Sequence, residues 1–249
     1  MNLVKEIQHL GVEGRVVLVH TGLRSVGDVD AKNYVNDWRD AVADDGLLLI
    51  PTFTGKPTDL PERPPTFDVS TSKPVNIGIV PVIASQMEGG FRSVHATHSV
   101  KGFGNSAADF LNDHFDSYTP CDEHSPFRKL AEHEGLIALV GCTHTSNTTI
   151  HAAEEQANVP YHLIPGEGTS IVIDREGNRL EQRTRFHSWA TERDFMRIDK
   201  DLGALGIQTY HSLGDAIVRL IDAKLMMDWL VQRLRAYPYL LCKPKGRGS

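Results

Sequence analysis

Three short apolar runs constrain what this chain can fold into. They span Val16–Val19, Leu47–Ile50 and Leu136–Val140, and glycine or proline follows each within three residues. Because these runs are apolar at every position rather than at alternate positions, they predict strands that are buried on both faces. Strands of this kind are typical of α/β proteins, whose helices cover both sides of the sheet. With 249 residues and 40% hydrophobic residues, the chain is long enough to form such a core.

The third run leads into the most informative segment, residues 135–155. A glycine ends the predicted strand, and Ser146–Thr148 supply good N-caps for a helix. His151 falls in the first turn of that helix. Glu154 and Glu155 follow three and four residues later, the spacings at which helical side chains share a face. The segment therefore predicts an imidazole beside a carboxylate at the end of a strand, where open α/β folds bind ligands.

The position of His151 indicates general-base chemistry. A helix N-terminus carries partial positive charge, which disfavours the imidazolium form. A neutral imidazole can accept a proton near physiological pH, and a neighbouring carboxylate fixes its tautomer and stabilises the cation that forms. The alternative is structural, because a histidine that caps its own helix and hydrogen-bonds a local glutamate is a common arrangement. The spacing alone leaves both interpretations open.

Two other segments indicate anion binding. His20–Gly27 joins the first strand to a helix predicted at roughly residues 29–43, an arrangement that presents backbone N–H groups to phosphate. Arg24 adds a charged donor to this loop. Phe91–Gly102 carries four cationic or titratable side chains and two serines. The competing interpretations are an ordinary strand-to-helix turn and a polar surface strand, since no P-loop motif is present.

The rest of the chain predicts one irregular loop and several short elements. Lys56–Pro74 contains five prolines and little periodicity, which predicts the loop. The predicted elements are helices at 2–10, 78–87 and 105–115 and from Ser125, a hairpin with strands at 169–174 and 179–186, and one or two helices over 211–236.

Composition narrows the class of protein. The net charge of −6 argues against nucleic acid as the main partner. Three cysteines fit a reducing compartment without disulfide bonds. The N-terminus lacks the apolar core of a signal peptide, and no apolar run is long enough to span a bilayer. We expect a cytoplasmic protein without a membrane partner, built as one domain over residues 1–242 with a flexible tail at 243–249.

Six segments, in order and in spacing, resemble the aminoglycoside 3-N-acetyltransferase family. Together they cover roughly residues 1–165, and the run NTTIHAAEEQANVPY at 147–161 is the most distinctive. The others are VLVHTGLRSVG (17–27), GLLLIPTFTG (46–55), FDVSTSKPVNIGIVP (67–81), FRSVHATHSVKGFGNSA (91–107) and HSPFRKL (124–130). The resemblance implies an α/β fold with a central mixed sheet flanked by helices on both faces, with the late hairpin and C-terminal helices added.

The resemblance also implies a function. It implies an N-acetyltransferase that moves an acetyl group directly from acetyl-CoA to an amine of an aminoglycoside-like or other small amine substrate. His151 would be the catalytic base and Glu154 would orient it. A homodimer is one expectation, and no metal is expected. The residues predicted along the acetyl-CoA site are His20, Thr21, Gly22, Leu23, Arg24, Ser25, Val26, Arg92, Ser93, His95, Ser99, Val100 and Lys101, and those at the acceptor are Phe53, Asp59, Thr148 and Glu181.

The chain departs from the family pattern at several points. Ala96 stands where a proline is usual, and Asp59 is slightly displaced from the usual acidic position. In the late hairpin, Glu181 is the only acid near the stretch Arg183–His187. Since such acids hold cationic aminoglycosides, the identity of the acceptor stays open.

Three alternatives to direct transfer also stay open. Cys142 follows a predicted strand and is a candidate nucleophile for covalent catalysis. The departures from the family pattern are also compatible with a coenzyme A-binding protein that has lost catalysis. A metal-dependent hydrolase would draw its ligands from the histidines His95, His98, His144 and His151.

Overall fold

The computed structural model describes residues 2–243, which form an α/β fold. The ten strands are β1 (Val16–Thr21), β2 (Leu47–Pro51), β3 (Thr66–Asp68), β4 (Phe91–Arg92), β5 (Val100–Phe103), β6 (Leu136–Val140), β7 (Gly168–Ile173), β8 (Arg179–Thr184), β9 (Gln208–Leu213) and β10 (Ala216–Asp222). The eight α-helices within the described residues are α1 (Leu3–Gln8), α2 (Ala31–Val42), α3 (Ile79–Gln86), α4 (Ala107–Leu111), α5 (Pro126–Glu132), α6 (Thr149–Gln156), α7 (Asp199–Ala204) and α8 (Ala223–Ala236).

The three predicted buried strands form the middle of a seven-stranded mixed sheet. Its order is β4-β5-β2-β1-β6-β10-β9, with β1 parallel to both β2 and β6 and the flanking pairs antiparallel. β2 and β6 are buried at every residue. This burial explains their unbroken apolar sequences. A strand that is covered on both faces has no face exposed to solvent, so no alternate position favours a polar residue.

Two hydrophobic cores lie on opposite faces of this sheet. One contains Trp38 and Tyr34 of α2, together with buried residues of α1 and α3. The other contains Phe127 and Leu130 of α5, together with residues of α4, α6 and α8. Helices therefore flank both faces, which confirms the predicted fold class.

The helix prediction for residues 211–236 is wrong in its first half. That half belongs to a hairpin of β9 and β10, and α8 begins only at Ala223. The turn is formed by Gly214, whose φ of 55° suits glycine, and the following aspartate. Leu213 is buried, whereas Ile217 is 60% exposed, so the apparent helical spacing joined residues from two strands. A Gly-Asp pair between apolar runs was the signal for this turn.

A second sheet of three strands has the order β3-β7-β8. Its hairpin of β7 and β8 confirms the one predicted at 169–186. The loop predicted at 56–74 contains β3, which pairs in parallel with β7. A three-residue strand carries too little pattern to be recognised without its partner.

Over residues 2–243, no helix has the length and apolar character needed to cross a bilayer. Of the tail predicted at 243–249, Lys243 is described and bonds to Glu192 through its backbone N–H. The remaining tail residues lie outside the described part of the chain.

Candidate active site

The carboxyl ends of the three central strands open into one cleft. Parallel strands end at the same edge of a sheet, so the loops after β1, β2 and β6 meet there. The cleft has a volume of about 710 Å³, and its lining includes His20 near the end of β1, Phe53 after β2, Cys142 after β6 and His151 on α6. A cavity therefore lies at the edge of the sheet where the sequence predicted a ligand site.

His151 and Glu154 form a hydrogen-bonded pair in this cleft. His151 is the third residue of α6, and its Nδ1 lies 2.7 Å from Oε2 of Glu154, as the i, i+3 spacing predicted. The Glu154 side chain is fully buried, whereas that of His151 is 23% exposed. Because Nδ1–H donates to the carboxylate, the neutral ring keeps its lone pair on Nε2.

The protonation states suit a general base. Burial lowers the pKa of His151 below its ordinary value of 6.5, and this outweighs the opposing effect of Glu154. The neutral ring was predicted, but the main cause is burial rather than the helix end. Burial alone would raise the pKa of Glu154, yet hydrogen bonds with His151 and His162 hold it well below its usual range. The site thus combines a neutral imidazole with an ionised carboxylate.

Two residues that the sequence analysis missed complete the surroundings of Glu154. Arg193 Nε donates to Glu154 Oε1 at 3.0 Å. His162 Nδ1 lies 3.1 Å from Oε2, and its ring stacks on that of His151 with centroids 5.0 Å apart. Although burial opposes it, hydrogen bonding to the two glutamates raises the pKa of His162. Both residues lie in irregular segments, so no periodic pattern marked them.

Glu155 does not share the role of Glu154, although the spacing placed both near His151. Its carboxylate accepts hydrogen bonds from the Thr119 hydroxyl, from the Cys121 backbone N–H and from His187 Nε2, the last at 3.0 Å. The His187 ring lies 4.9 Å from that of His151 and lines the cleft. The feature of the sequence that could have identified His187 is its position directly after the predicted hairpin.

The end of β1 and the first residue of the loop that follows it line the cleft. Thr21 and Gly22 line the cleft together with His20, whose Nε2 has no hydrogen-bond partner within residues 2–243. Burial lowers the pKa of His20 to about 3, so the ring is neutral. A Cβ at Gly22 would lie 2.7 Å from the carbonyl oxygen of Gly141, so this close approach of two loops requires glycine.

The next residues of this loop are partly exposed to solvent and partly buried. Leu23–Ser25 form a 3-10 turn in which Arg24 and Ser25 are exposed, and Val26 is buried in the core. Val26 therefore supports the loop from below and does not face the cleft.

The predicted anion-binding segment Arg92–Lys101 lies in the interior instead. Arg92 is 4% exposed, and its guanidinium donates to backbone carbonyls of Thr52, Val69 and Ser72 and to two hydroxyls. Lys101 Nζ donates to a backbone carbonyl, and burial lowers its pKa to about 8. The six residues of this segment that were predicted along the acetyl-CoA site are all buried: Arg92, Ser93, His95, Ser99, Val100 and Lys101.

This placement corrects the prediction for those six residues. β4 and β5 form one edge of the central sheet, and polar side chains at this edge make internal hydrogen bonds: Arg92 donates to the carbonyl of Val69, and the Ser93 hydroxyl accepts the backbone N–H of Val100. Thr97 and His98 are the members of the segment that line a cavity. The basic and hydroxyl-bearing residues of this segment therefore form a buried network of hydrogen bonds.

Three of the four predicted acceptor residues reach a cavity. Phe53 and Thr148 line the main cleft, and Phe53 and Asp59 line a smaller adjoining cavity. Glu181 is exposed on β8, where its neighbour Gln182 points inward and bonds to Ala96. Because strand side chains alternate between faces, Glu181 points away from His151, so Glu154 is the acid that supports the histidine.

The covalent alternative finds little support in the geometry. The Cys142 thiol donates to the His20 carbonyl oxygen at 3.4 Å, and burial raises its pKa to about 11. Since the thiolate is the nucleophilic form of cysteine, this environment disfavours attack by Cys142.

Two groups of potential metal donors bear on the hydrolase alternative. Cys121, Glu155 and His187 form one, and His151, Glu154 and His162 form the other, with donor atoms within 4.8 Å of one another. In the second group, Arg193 Nε lies 3.0 Å from Oε1 of Glu154, and this positive charge would repel a divalent metal ion. His144, a further candidate ligand, bonds to Gln208 at 2.8 Å.

A histidine–carboxylate pair in a large cleft at the sheet edge has the geometry of a general base and the acid that orients it. The family model described as aminoglycoside 3-N-acetyltransferase matches residues 18–235, and the chain belongs to this family. Members are acetyl-CoA-dependent acyltransferases, which confirms the expected fold, enzyme class and cosubstrate.

Individual relatives agree with this assignment. Aminoglycoside N(3)-acetyltransferase IV of Salmonella sp is 29% identical over 251 residues, covering 99% of this chain and 91% of that protein. The crystal structure of AAC(3)-IVa, a histidine-to-alanine variant in complex with a gentamicin, has a TM-score of 0.81 at 26% identity, covering 97% and 90% of the two chains. AAC-IIIb with CoASH also has a TM-score of 0.81, at 22% identity and 98% and 97% coverage, and shows the fold alone.

Proposed function

We propose that His151 is the base with which this enzyme transfers an acetyl group from acetyl-CoA to an amine of an aminoglycoside-like or other small amine substrate. The observation that carries the proposal is the 2.7 Å hydrogen bond from His151 Nδ1 to Glu154, which leaves Nε2 of a cleft-lining ring as the proton acceptor. The relative AAC(3)-IVa, described above in complex with a gentamicin, supports an amine as acceptor.

The chemistry follows from the proton balance. An ammonium has no lone pair, so the acceptor reacts as the free amine; its nitrogen then loses a proton as it bonds to the acetyl carbonyl carbon and the carbon–sulfur bond breaks. His151 accepts that proton, and the ionised Glu154 stabilises the imidazolium. The departing thiolate then takes a proton. General-base catalysis of this kind contributes about 10²- to 10⁴-fold, and the positioning of both substrates contributes more.

The loop after β1 fits the acetyl-CoA cosubstrate. His20 near the end of β1 lines the cleft with a neutral ring that is 8% exposed, and Arg24 is exposed on the loop that follows the strand. A neutral imidazole suits the amide groups of a pantetheine chain, and an exposed guanidinium suits phosphate. We therefore assign His20–Ser25 to the donor and leave Arg92–Lys101 and Val26 out of the site.

Thr148 is our candidate for stabilising the charge on the carbonyl oxygen. It lines the cleft at the start of α6, and its side chain makes no capping hydrogen bond there. A hydroxyl in this place can donate to an oxygen that gains negative charge during attack. We further propose that residues 1–242 act as one catalytic domain, that the enzyme is cytoplasmic and that it assembles as a homodimer.

The decisive experiment measures coenzyme A release from acetyl-CoA as a function of added amine. Amine-dependent release, with the acetylated amine identified by mass spectrometry, supports direct transfer. Release that is independent of any amine indicates a hydrolase instead, and stoichiometric zinc or iron in purified protein would support a metal-dependent one. Binding of acetyl-CoA without release would indicate a homologue that has lost catalysis.

The pH dependence of activity provides a test of the base and of His162. Protonation of His151 removes its lone pair, so kcat/KM should fall as the pH drops through the lowered pKa, with a midpoint below 6.5. His162, whose raised pKa favours a cation, repels the charged form of His151. His162→Gln should therefore raise the pKa of His151 and move the acid limb to higher pH.

A structural effect of the His162 variant would give a different pH profile from the charge effect. The charged and titratable groups that face the two rings are Glu154, Glu155, His187 and Arg193, and the variant leaves all of them unchanged. A purely structural effect of His162→Gln, through a displaced Glu154, would shift the limb to lower pH or reduce kcat at every pH. Either pattern would contradict the charge effect.

A cysteine variant separates direct transfer from covalent transfer. Because Cys142 has a raised thiol pKa, Cys142→Ser should retain kcat within about an order of magnitude. Intact-mass spectrometry after mixing wild-type protein with acetyl-CoA should show no acetylated Cys142. Acetylation at this residue, together with lost activity in the variant, would replace the direct mechanism.

A further inference from the structure

A second imidazole lies beside His151 at the wall of the cleft. The ring centroids of His187 and His151 are 4.9 Å apart, and both residues line the cleft. The proposed transfer needs one imidazole as its base, so it leaves the ring of His187 without a task.

Hydrogen bonding fixes the tautomer of His187. Its Nε2 lies 3.0 Å from Oε1 of Glu155, and that carboxylate also accepts the backbone N–H of Cys121 and the hydroxyl of Thr119. Because an ionised carboxylate only accepts hydrogen bonds, Nε2 carries the proton and Nδ1 keeps the lone pair. Burial lowers the pKa of His187 well below its ordinary value, so the ring is neutral.

The lone pair on Nδ1 of His187 is open to the cleft. No group within residues 2–243 hydrogen-bonds to this atom. Among the same residues, the polar atoms that are both buried and unpartnered include Nε2 of His95, His114 and His162, but not Nδ1 of His187. An unpartnered nitrogen that keeps some exposed surface faces a cavity, and His187 lines the cleft and the smaller cavity beside it.

The ring of His187 is held in place from several sides. Glu155 anchors Nε2, and the rings of His98 and His162 pack against it with centroids at 4.6 Å and 4.2 Å. Its backbone pairs with Leu163 shortly after β8. A side chain fixed in this way presents its free acceptor atom in one direction, as precise positioning of a substrate requires.

A primary amine offers groups that match two imidazoles. In its neutral form it has one lone pair and two N–H bonds. The lone pair bonds to the acetyl carbonyl carbon as the carbon–sulfur bond breaks, and one of the two protons passes to His151 Nε2. The other N–H is kept in the amide product, so it can donate to a second acceptor throughout the reaction. Two rings with centroids 4.9 Å apart can both contact one nitrogen at about 3 Å.

We propose that Nδ1 of His187 accepts a hydrogen bond from the N–H that the acceptor nitrogen retains, and so directs the lone pair of that nitrogen toward the acetyl group. The proposal rests on the proposed function, because both rings act on the nitrogen of the same transfer. The nitrogen becomes positive during attack, so this hydrogen bond is stronger in the transition state than in the bound amine.

The proposal also gives Glu155 a function. Two successive glutamates of α6 orient two imidazoles of opposite tautomer. Glu154 leaves Nε2 of His151 free to take a proton, and Glu155 leaves Nδ1 of His187 free to accept a hydrogen bond. Glu155 is then a positioning residue, whereas His187 contacts the substrate.

Two substitutions of His187 separate this hydrogen bond from the bond to Glu155. Asparagine places a carbonyl oxygen near the position of Nδ1 but is too short to reach Glu155. Glutamine can reach Glu155 with its amide N–H and leaves no acceptor near Nδ1. Coenzyme A release is measured with gentamicin and apramycin, which relatives bind in their solved structures. We expect kcat/KM for the amine to fall by roughly tenfold to a hundredfold in His187→Gln and by less than about fivefold in His187→Asn, with KM for acetyl-CoA unchanged.

The order of the two variants decides between the interpretations. Activity kept in His187→Gln and lost in His187→Asn would mean that the ring acts only through Glu155, and this would overturn the proposal. Equal losses, or unchanged kcat/KM in both variants, would overturn it as well while leaving His151 as the base. Melting temperatures show whether each variant is folded. Release by the wild-type protein with neither amine would count against the proposed function, and the role of His187 would fall with it.

Discussion

Replacing His151 by glutamine is expected to lower kcat for acetyl transfer by ~10²- to 10⁴-fold, the usual contribution of a positioned general base. Glutamine keeps a polar side chain of similar length, so α6 and the cleft should remain folded. It has no basic nitrogen, and the amine proton therefore loses its acceptor. The measurement is the initial rate of coenzyme A release at saturating acetyl-CoA and amine.

Two comparisons make this result specific to His151. His9→Gln, at an exposed histidine beyond α1, should retain the wild-type rate. Glu154→Gln should also lose activity, because the neutral amide neither stabilises the imidazolium nor enforces the Nδ1–H tautomer. Acetyl-CoA binding measured by calorimetry should be unchanged in His151→Gln. Near-normal turnover in that variant would reject the base assignment.

Replacing Arg92 by methionine is expected to cost about 3 kcal/mol or more in the free energy of unfolding. The guanidinium donates to three backbone carbonyls in the interior, and buried acceptors that lose a charged partner cost about 1–3 kcal/mol each. For a protein of this size the melting temperature should fall by roughly 6–12 °C. Thermal unfolding followed by circular dichroism gives the value directly.

Arg24→Met is the matched control for the Arg92 variant. Arg24 is exposed in the loop after β1, so its loss should leave the melting temperature unchanged and raise KM for acetyl-CoA instead. The two arginines were both predicted to bind the donor, and the structure separates them. An unchanged melting temperature with a raised KM in Arg92→Met would restore that residue to the donor site.

The fold could be predicted where local pattern and burial agree. Leu136–Val140 and Leu47–Ile50 are apolar throughout because the sheet is covered on both faces, and both are strands as predicted. The pattern failed at residues 211–222, where two short strands joined at Gly214 imitate a helical repeat. It also missed β3, whose existence depends on pairing with β7.

The site could be predicted where its parts lie within one helix turn. His151 and Glu154 are three residues apart on α6, so their contact follows from helix geometry. Arg193 and His162 contact the same carboxylate from elsewhere in the chain, 39 and 8 residues from Glu154 in sequence. Nothing local relates these residues, so their role emerged only from the folded arrangement.

The sequence by itself determined the family, the central strands and the histidine–glutamate pair, because each depends on contacts within a few residues or on the unbroken apolarity of a buried strand. Only the tertiary structure decided that the arginine at position 92 belongs to the interior, that burial keeps the imidazole of His151 neutral, and that a small cavity with apolar walls adjoins the cleft. These features depend on which distant segments cover a side chain, and the physical quantity that they share, access to water, is set by the whole fold.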